Sequence, residues 1–327
     1  MSTSGDDPSQ YDDSALFLMP PMAFDGQHRT YAGLLYIITC ITSLVLHMIF
    51  AAGIRKLCGW KSNFSFTLLL VLSLMCMLRF LCNLIGSITA VLCVDYEDKE
   101  ILWIGLGSFA WSSCYTVIVL NTVIAFHRLA CTAFPLAANT YLSKFVLQII
   151  LAAIFLFFII FVIMLNTKLF GVSWSNLQMT WTVMTDRHPD VFFLFNSISN
   201  YCIGILNPLI YLFMFIILWQ KKLISFTRNH EIKLTLQVLC MASCELVFFL
   251  YWEFVPFEVN DIWDAVIAEI SNLLHYDVLL IPYLLMNKQI QSQLKNMWRK
   301  HIVHVAPVSG VKRSVQVQLS LVTEYRS

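Results

Sequence analysis

Among the ionisable side chains inside long apolar stretches of this 327-residue sequence, His47, Arg79, Glu245, Glu269 and Asp277 stand out. A charge in such surroundings is costly unless it is paired or faces a polar interior, so the chemistry on offer is ion pairing, ligand binding or proton relay. Arg79 and Glu269 match best in depth. Arg79 stands sixteen residues past Asn63, which is about 24 Å along a helix. Glu269 stands eighteen residues before Asn287, or about 27 Å at the same rise. Asn83, Gly86, Ser87 and Ala90 follow Arg79 at helical spacing, and Asn272, Tyr276 and Tyr283 continue the face of Glu269, so each charge heads a polar or small-residue face. Glu245, twelve residues past Lys233, is the rival partner for Arg79. Two readings of the pair stand: it neutralises two buried charges as structure, or its polarity is read by a ligand. His47, with Asp277 at about its level, is expected to be a satisfied core histidine, because no second ligand residue lies at metal spacing around it.

Other chemistry is poorly supported. There is no HExxH, no GxSxG, no phosphate-cradling glycine loop and no carboxylate pair at hydrolase spacing, so no enzymatic activity, cofactor or metal is expected. The ten cysteines are spread along the chain without a CxxC pair and read as small packing residues.

The elements that must position these groups are membrane spans. The chain is 58% apolar and only 13% charged, with a mean hydropathy of +0.72, which is the composition of a polytopic membrane protein. Seven apolar runs, each near the roughly 20 residues a helix needs to cross a bilayer, extend over Tyr31–Ile54, Phe64–Val91, Ile101–Phe126, Lys144–Leu165, Val191–Trp219, Leu234–Val255 and Trp263–Met286. The expected fold is an all-α seven-transmembrane helix bundle over residues 31–286, in contact with the lipid bilayer. Residues 1–30 form an N-terminal tail without the features of a signal peptide. Residues 287–300, with Ile290, Leu294 and Met297 at helical spacing beside basic residues, form a short amphipathic C-terminal helix along the membrane surface. Residues 301–327 complete a cytosolic tail.

The connections alternate in charge. Arg55, Lys56, Lys61, Arg128, Lys144, Lys221, Lys222, Arg228 and Lys233 fall on one side; Asp95, Glu97, Asp98, Glu100, Asp186, Asp190, Glu258, Asp261 and Asp264 fall on the other. Lys and Arg mark the cytosolic side, so the N-terminus is expected outside and the C-terminus inside. The acid-rich outer face suits cationic or polar ligands, whereas Trp174 and Trp181 in the second outer loop would suit apolar ones. No nucleic acid is expected as a partner.

The third run ends in VLNTVIAFHRLACTAFP, Val119 to Pro135, with Arg128 where lipid gives way to water and Pro135 seven residues on. Rhodopsin-like receptors carry Asp-Arg-Tyr at that place in the third of seven spans, followed by a loop with a Pro. With the seven runs and the amphipathic segment after the last, the chain resembles a rhodopsin-like G-protein-coupled receptor over nearly its whole length. Within that superfamily it is similar to the nematode serpentine chemosensory receptors, most nearly class x, in NTVIAFHRLACTAFP, in RNHEIKLTLQ from Arg228 and in HYDVLLIPYLLMNKQIQ from His275.

The resemblance implies a plasma-membrane receptor that couples to a heterotrimeric G protein at Arg128, His127 and Tyr283, and responds to an unknown small-molecule or peptide ligand. Spans two and seven are neighbours in that fold, so it also implies that Arg79 and Glu269 are partners near the depth of a ligand cavity, with Asn83 and Asn272 beside them. The departures are specific. His127 replaces the acid before the Arg; Leu279 and Leu280 replace the Asn and Pro four and three residues before Tyr283, leaving Pro282 to kink the last span. NPLIY at Asn207–Tyr211 lies in the fifth run, where Asn207 can serve a carbonyl freed by Pro208. The disulfide at the top of span three is not expected, since residues 166–190 hold no Cys and Trp103 occupies the other end. Nor is a palmitoyl anchor, since no Cys follows Met286. Trp252 is expected to be a packing residue. The alternative is a secondary transporter or another polytopic membrane protein without G-protein coupling; a transporter would show repeated halves and broken helices in matching positions.

Overall fold

The computed structural model describes residues 26–59, 64–93, 100–167, 170–175, 179–183, 189–220, 229–254 and 262–305. Helices dominate: α1 (Gly26–Ile54), α2 (Phe64–Val91), α3 (Glu100–Ala133), α4 (Pro135–Tyr141), α5 (Lys144–Leu165), α6 (Pro189–Tyr201), α7 (Asn207–Gln220), α8 (Asn229–Phe254), α9 (Ile262–Val278), α10 (Ile281–Met286) and α11 (Lys288–Val305). A long apolar segment in lipid must satisfy its own backbone, which a helix does within one segment. Six helical segments are long and apolar enough to cross a membrane: Gly26–Ile54, Phe64–Val91, Glu100–Ala133, Lys144–Leu165, Leu194–Gln220 and Trp263–Met286. The stretch expected as the sixth span lies in α8, outside those six; it is a 26-residue helix with Glu231 and Lys233 in its first turns and Glu245 and Glu253 further on.

The burial pattern is that of a bundle with an apolar exterior. In α5 only Leu147, Ile154, Phe158, Phe161 and Leu165 are buried, all toward one side, while Phe155, Leu156, Ile160 and Ile163 are exposed. Similar exposed rows run along α1 through Ile38, Ile41, Val45 and Met48. Apolar faces of this extent are not left to water and fit lipid.

Successive helices run up and down between two ends. At one end β1 (Val172–Ser175) and β2 (Thr180–Val183) form an antiparallel hairpin, with Trp174 opposite Trp181. It seats directly on the bundle: a Cβ at Gly107 of α3 would collide with the Val172 carbonyl, and one at Gly86 of α2 would lie 2.6 Å from the Trp174 ring. At the other end α11 crosses the end of α1, where Gly53 faces Leu294 and Ile290. Asn287 starts α11, its Oδ1 accepting from the backbone N–H of Gln289 and Ile290 at 3.0 and 3.3 Å. Two apolar cores follow this division, one around Trp103, Tyr115, Phe161 and Trp181 under the hairpin and one around Phe50, Leu72, Leu120 and Tyr283 toward the α11 end.

Several boundaries differ from expectation. α1 begins at Gly26, five residues before the first run, because Gln27 to Thr30 tolerate helix although they are polar. α11 continues to Val305 rather than stopping at 300. The Pro135 loop is a short helix, with Pro at the first-turn position where its missing N–H costs nothing. Ahead of Pro208 the chain widens into a π-turn, Cys202–Leu206, and the Asn207 N–H bonds the Cys202 carbonyl five residues back. The last span breaks between Val278 and Ile281, and Leu280 N–H bonds the Asp277 carbonyl at 3.0 Å. Pro282 accounts for the break, since it lacks the N–H that would bond the Val278 carbonyl. Most of the side chains in the charge alternation lie outside the described residues, among them Lys61, Asp95, Glu97, Asp98, Asp186, Lys221, Lys222, Arg228, Glu258 and Asp261, as do residues 1–25 and 306–327.

Candidate functional site

Arg79 and Glu269 meet across α2 and α9, with Nη2 3.8 Å from Oε1 and both side chains buried. At that separation the contact is an ion pair but not a hydrogen bond. The carboxylate is satisfied by other groups. Asn83 Nδ2 donates to Oε1 at 2.8 Å and Thr180 Oγ1 of the hairpin donates to Oε2 at 3.2 Å. Trp181 Nε1 donates to Asn83 Oδ1 at 2.7 Å, so the indole anchors the amide that anchors the acid. The hairpin is therefore held to the bundle both by β2, through the buried acid, and by the glycine contacts of β1. Glu245 takes a different partner, accepting from Asn121 Nδ2 of α3 at 2.7 Å.

Beside this layer lies a cavity of about 70 Å³, lined by residues of α2, α3, α6, α8 and α9 and by Ile203. Arg79 enters it, with its guanidinium carbon 5.4 Å from the centre of the Trp111 ring. Trp252 and Asn272 also line it. Trp252 donates from Nε1 to Ser271 Oγ at 3.1 Å and packs its ring 5.1 Å from that of His275; it is both packing and cavity wall. Such a volume holds several waters or a small organic group.

Of the four residues expected at a cavity, Arg79 and Asn272 line it, whereas Asn83 and Glu269 are sealed under the hairpin and do not. The reason is that each already carries a hydrogen bond to β2. Trp174 and Trp181, expected to be available to an apolar ligand, are 2% and 4% exposed and serve to seat the hairpin. The alternation of Val172, Trp174, Trp181 and Val183 with polar neighbours carried that information as a half-buried strand pattern. Residues not singled out from the sequence are Trp111, Tyr115, His275 and the α6 group Asn196, Ser199 and Asn200. The last three sit at helical spacing within an apolar run, a signal present in the sequence.

Nearer the α11 end a second polar cluster joins α1, α2 and α9. His47 Nε2 lies 3.4 Å from Asp277 Oδ1, Ser43 Oγ donates to Asp277 Oδ2 at 2.6 Å, and His47 Nδ1 is 3.1 Å from Ser73 Oγ. The histidine is thus satisfied on one side only: Nδ1 has a hydroxyl partner, whereas Nε2 is near the carboxylate without a hydrogen-bond partner among the described residues. No group of three metal-ligating side chains occurs among the described residues. No backbone carbonyl accepts from Asn207 Nδ2 among the described residues; its Oδ1 accepts from Thr122 Oγ1 at 3.0 Å and ties α7 to α3.

At the end of α3 the Arg128 guanidinium carbon lies 4.7 Å from the centre of the Tyr283 ring of α10. Tyr283 is fully buried, and its hydroxyl has no hydrogen-bond partner among the described residues. The neighbouring His127 faces α2 instead, with Nδ1 3.0 Å from Ser65 Oγ and its ring 5.6 Å from that of Phe64. The three residues thus fall in two contacts: Arg128 with Tyr283, and His127 with Ser65 and Phe64.

No family model matches the chain, and no curated protein is significantly similar to it.

Proposed function

We propose that the chain is a seven-span chemosensory receptor of the plasma membrane, with its N-terminus outside, that binds a ligand in the cavity beside Arg79 and couples to a heterotrimeric G protein around Arg128. In this reading α8 is the remaining span; its 26 residues reach about 39 Å, enough to cross a bilayer core of about 30 Å. The observation that carries the proposal is that one interrupted span touches both places. Its upper part, α9, brings Asn272, His275 and Tyr276 to the cavity; its lower part, α10, brings Tyr283 to Arg128; the break at Leu279–Leu280 lies between them. A ligand that prefers one setting of the break shifts the Arg128 contact by its differential affinity for the two settings.

A transporter draws support from the same interruptions, the π-turn in the fifth expected span and the break in the last, since transporters use discontinuous helices. The two interruptions do not lie at matching positions of two halves, and the sequence carries no repeat. The test is G-protein recruitment against tracer uptake in the same cells, over a panel of small molecules. Compound-dependent recruitment without uptake is expected; saturable uptake without recruitment makes the chain a transporter. An epitope at Ser4 should be labelled on intact cells and one after Ser327 should not; the reverse pattern removes the receptor reading.

A further inference from the structure

The polar atoms of the cavity are unequally provided for. Arg79 is 3% exposed, yet its Nε and Nη1 have no hydrogen-bond partner among the described residues, and neither do Tyr115 Oη and His275 Nδ1. All three residues line the same cavity. Buried polar groups are almost always paired, and several orphans on residues around one space point to a missing partner. Glu269 is not that partner, because its oxygens are held by Asn83 and Thr180 and its distance from Arg79 exceeds a hydrogen bond.

The character of the missing group follows from what surrounds it. The lining contains one cation, Arg79, and no carboxylate. The orphan atoms of Arg79 only donate, and Tyr115 Oη can donate as well, so the complement is an acceptor with negative charge. A carboxylate is the planar anion to which a guanidinium binds most directly. Trp111, Tyr115 and Trp252 supply flat apolar walls, which suit an aromatic or short aliphatic body. We propose that the cavity is a binding site for a small organic carboxylate, with its carboxylate at Arg79 and Tyr115 and its body between the aromatic walls. This names the ligand class of the receptor reading and rests on that reading for its physiological role; the binding itself is tested without signalling.

The full chain, purified in lipid nanodiscs, is heated with benzoate, butyrate, benzamide, benzylamine or acetate at millimolar concentration, and unfolding is followed. Benzoate or butyrate should raise the midpoint by about 2–5 °C, while the neutral amide and the amine should not. Tyr115→Phe keeps the ring and removes one donor, so the benzoate concentration needed for half the shift should rise about tenfold. Arg79→Lys keeps the charge and should abolish the shift if it folds; Tyr115→Phe decides the matter if it does not. Equal shifts with benzamide or benzylamine, no shift with either carboxylate, or an unchanged benzoate response in Tyr115→Phe would each overturn the site. A shift with acetate alone that equals the one with benzoate makes it an adventitious ion site only, and overturns it too. Carboxylate binding without G-protein recruitment leaves the site standing and removes the receptor; recruitment by compounds lacking a carboxylate, with no carboxylate binding, does the reverse.

Discussion

The hairpin half and the α11 half of the bundle hold their arginines, Arg79 buried and Arg128 half-buried, in different ways. Arg79 faces a carboxylate that is itself fixed by two hydrogen bonds, under a hairpin that closes over it. Arg128 rests on the face of one aromatic ring carried by a separate short helix. The first arrangement is a network in which each member fixes the next, and networks of this kind are worth more than the sum of their pairs. The second is a single contact worth about 0.5–2 kcal/mol, weak enough to be exchanged for another. A bundle that is braced at one end and lightly latched at the other can move at the latched end without losing its fold.

The largest effect is expected from breaking the braced end. Removing one member of a buried pair costs typically about 3–5 kcal/mol, so Arg79→Ala or Glu269→Ala should sharply reduce folding and surface delivery. The Glu-at-79, Arg-at-269 double swap should recover part of what either reversal alone destroys. The recovery is only partial because Asn83 and Thr180 are set to donate to an acid at 269, not to an arginine. A double swap no better than the worse single reversal would show that the two charges do not support each other.

A smaller loss is expected from unseating the hairpin. At Gly107 an added side chain meets the backbone of Val172, which cannot rotate away as a side chain would. Gly107→Val should lower the thermal midpoint by an amount matching about 1–3 kcal/mol of overpacking, and it should do so without touching Arg128. Wild-type stability in Gly107→Val would mean that the hairpin is not seated on α3.

The latched end should respond least in stability and most in behaviour. Tyr283→Phe keeps the ring under Arg128 and loses a hydroxyl that has no partner among the described residues, so surface level and response should change little. Tyr283→Leu removes the ring and should alter basal signalling at normal surface level. Equal behaviour of the two variants would mean that the ring contact does not matter.

Much of the braced end was legible in the sequence, because a charge inside an apolar run is conspicuous and helical rise converts position into depth. That arithmetic set Arg79 and Glu269 at nearly one level, and they meet. It could not choose what else would join them. The Trp181–Asn83 bond links residues far apart in sequence, with no period to announce it, and the tryptophans were accordingly read as open to a ligand. The cavity was illegible for a related reason: a void is set by how five elements and a π-turn pack, not by any one of them. The Arg128–Tyr283 contact lay between, since the resemblance brought both residues to the inner face but only the break before Pro282 explains how the ring reaches the guanidinium.

The most direct test of the receptor reading is G-protein recruitment by the full chain and by Arg128→Ala, compared at matched surface level across the same panel of small molecules. A receptor latched at Arg128 predicts recruitment by the wild-type chain to at least one compound and its loss, or near loss, in the variant. Undiminished recruitment by Arg128→Ala at equal surface level would contradict it, and would leave Arg128 as an interfacial anchor resting on Tyr283.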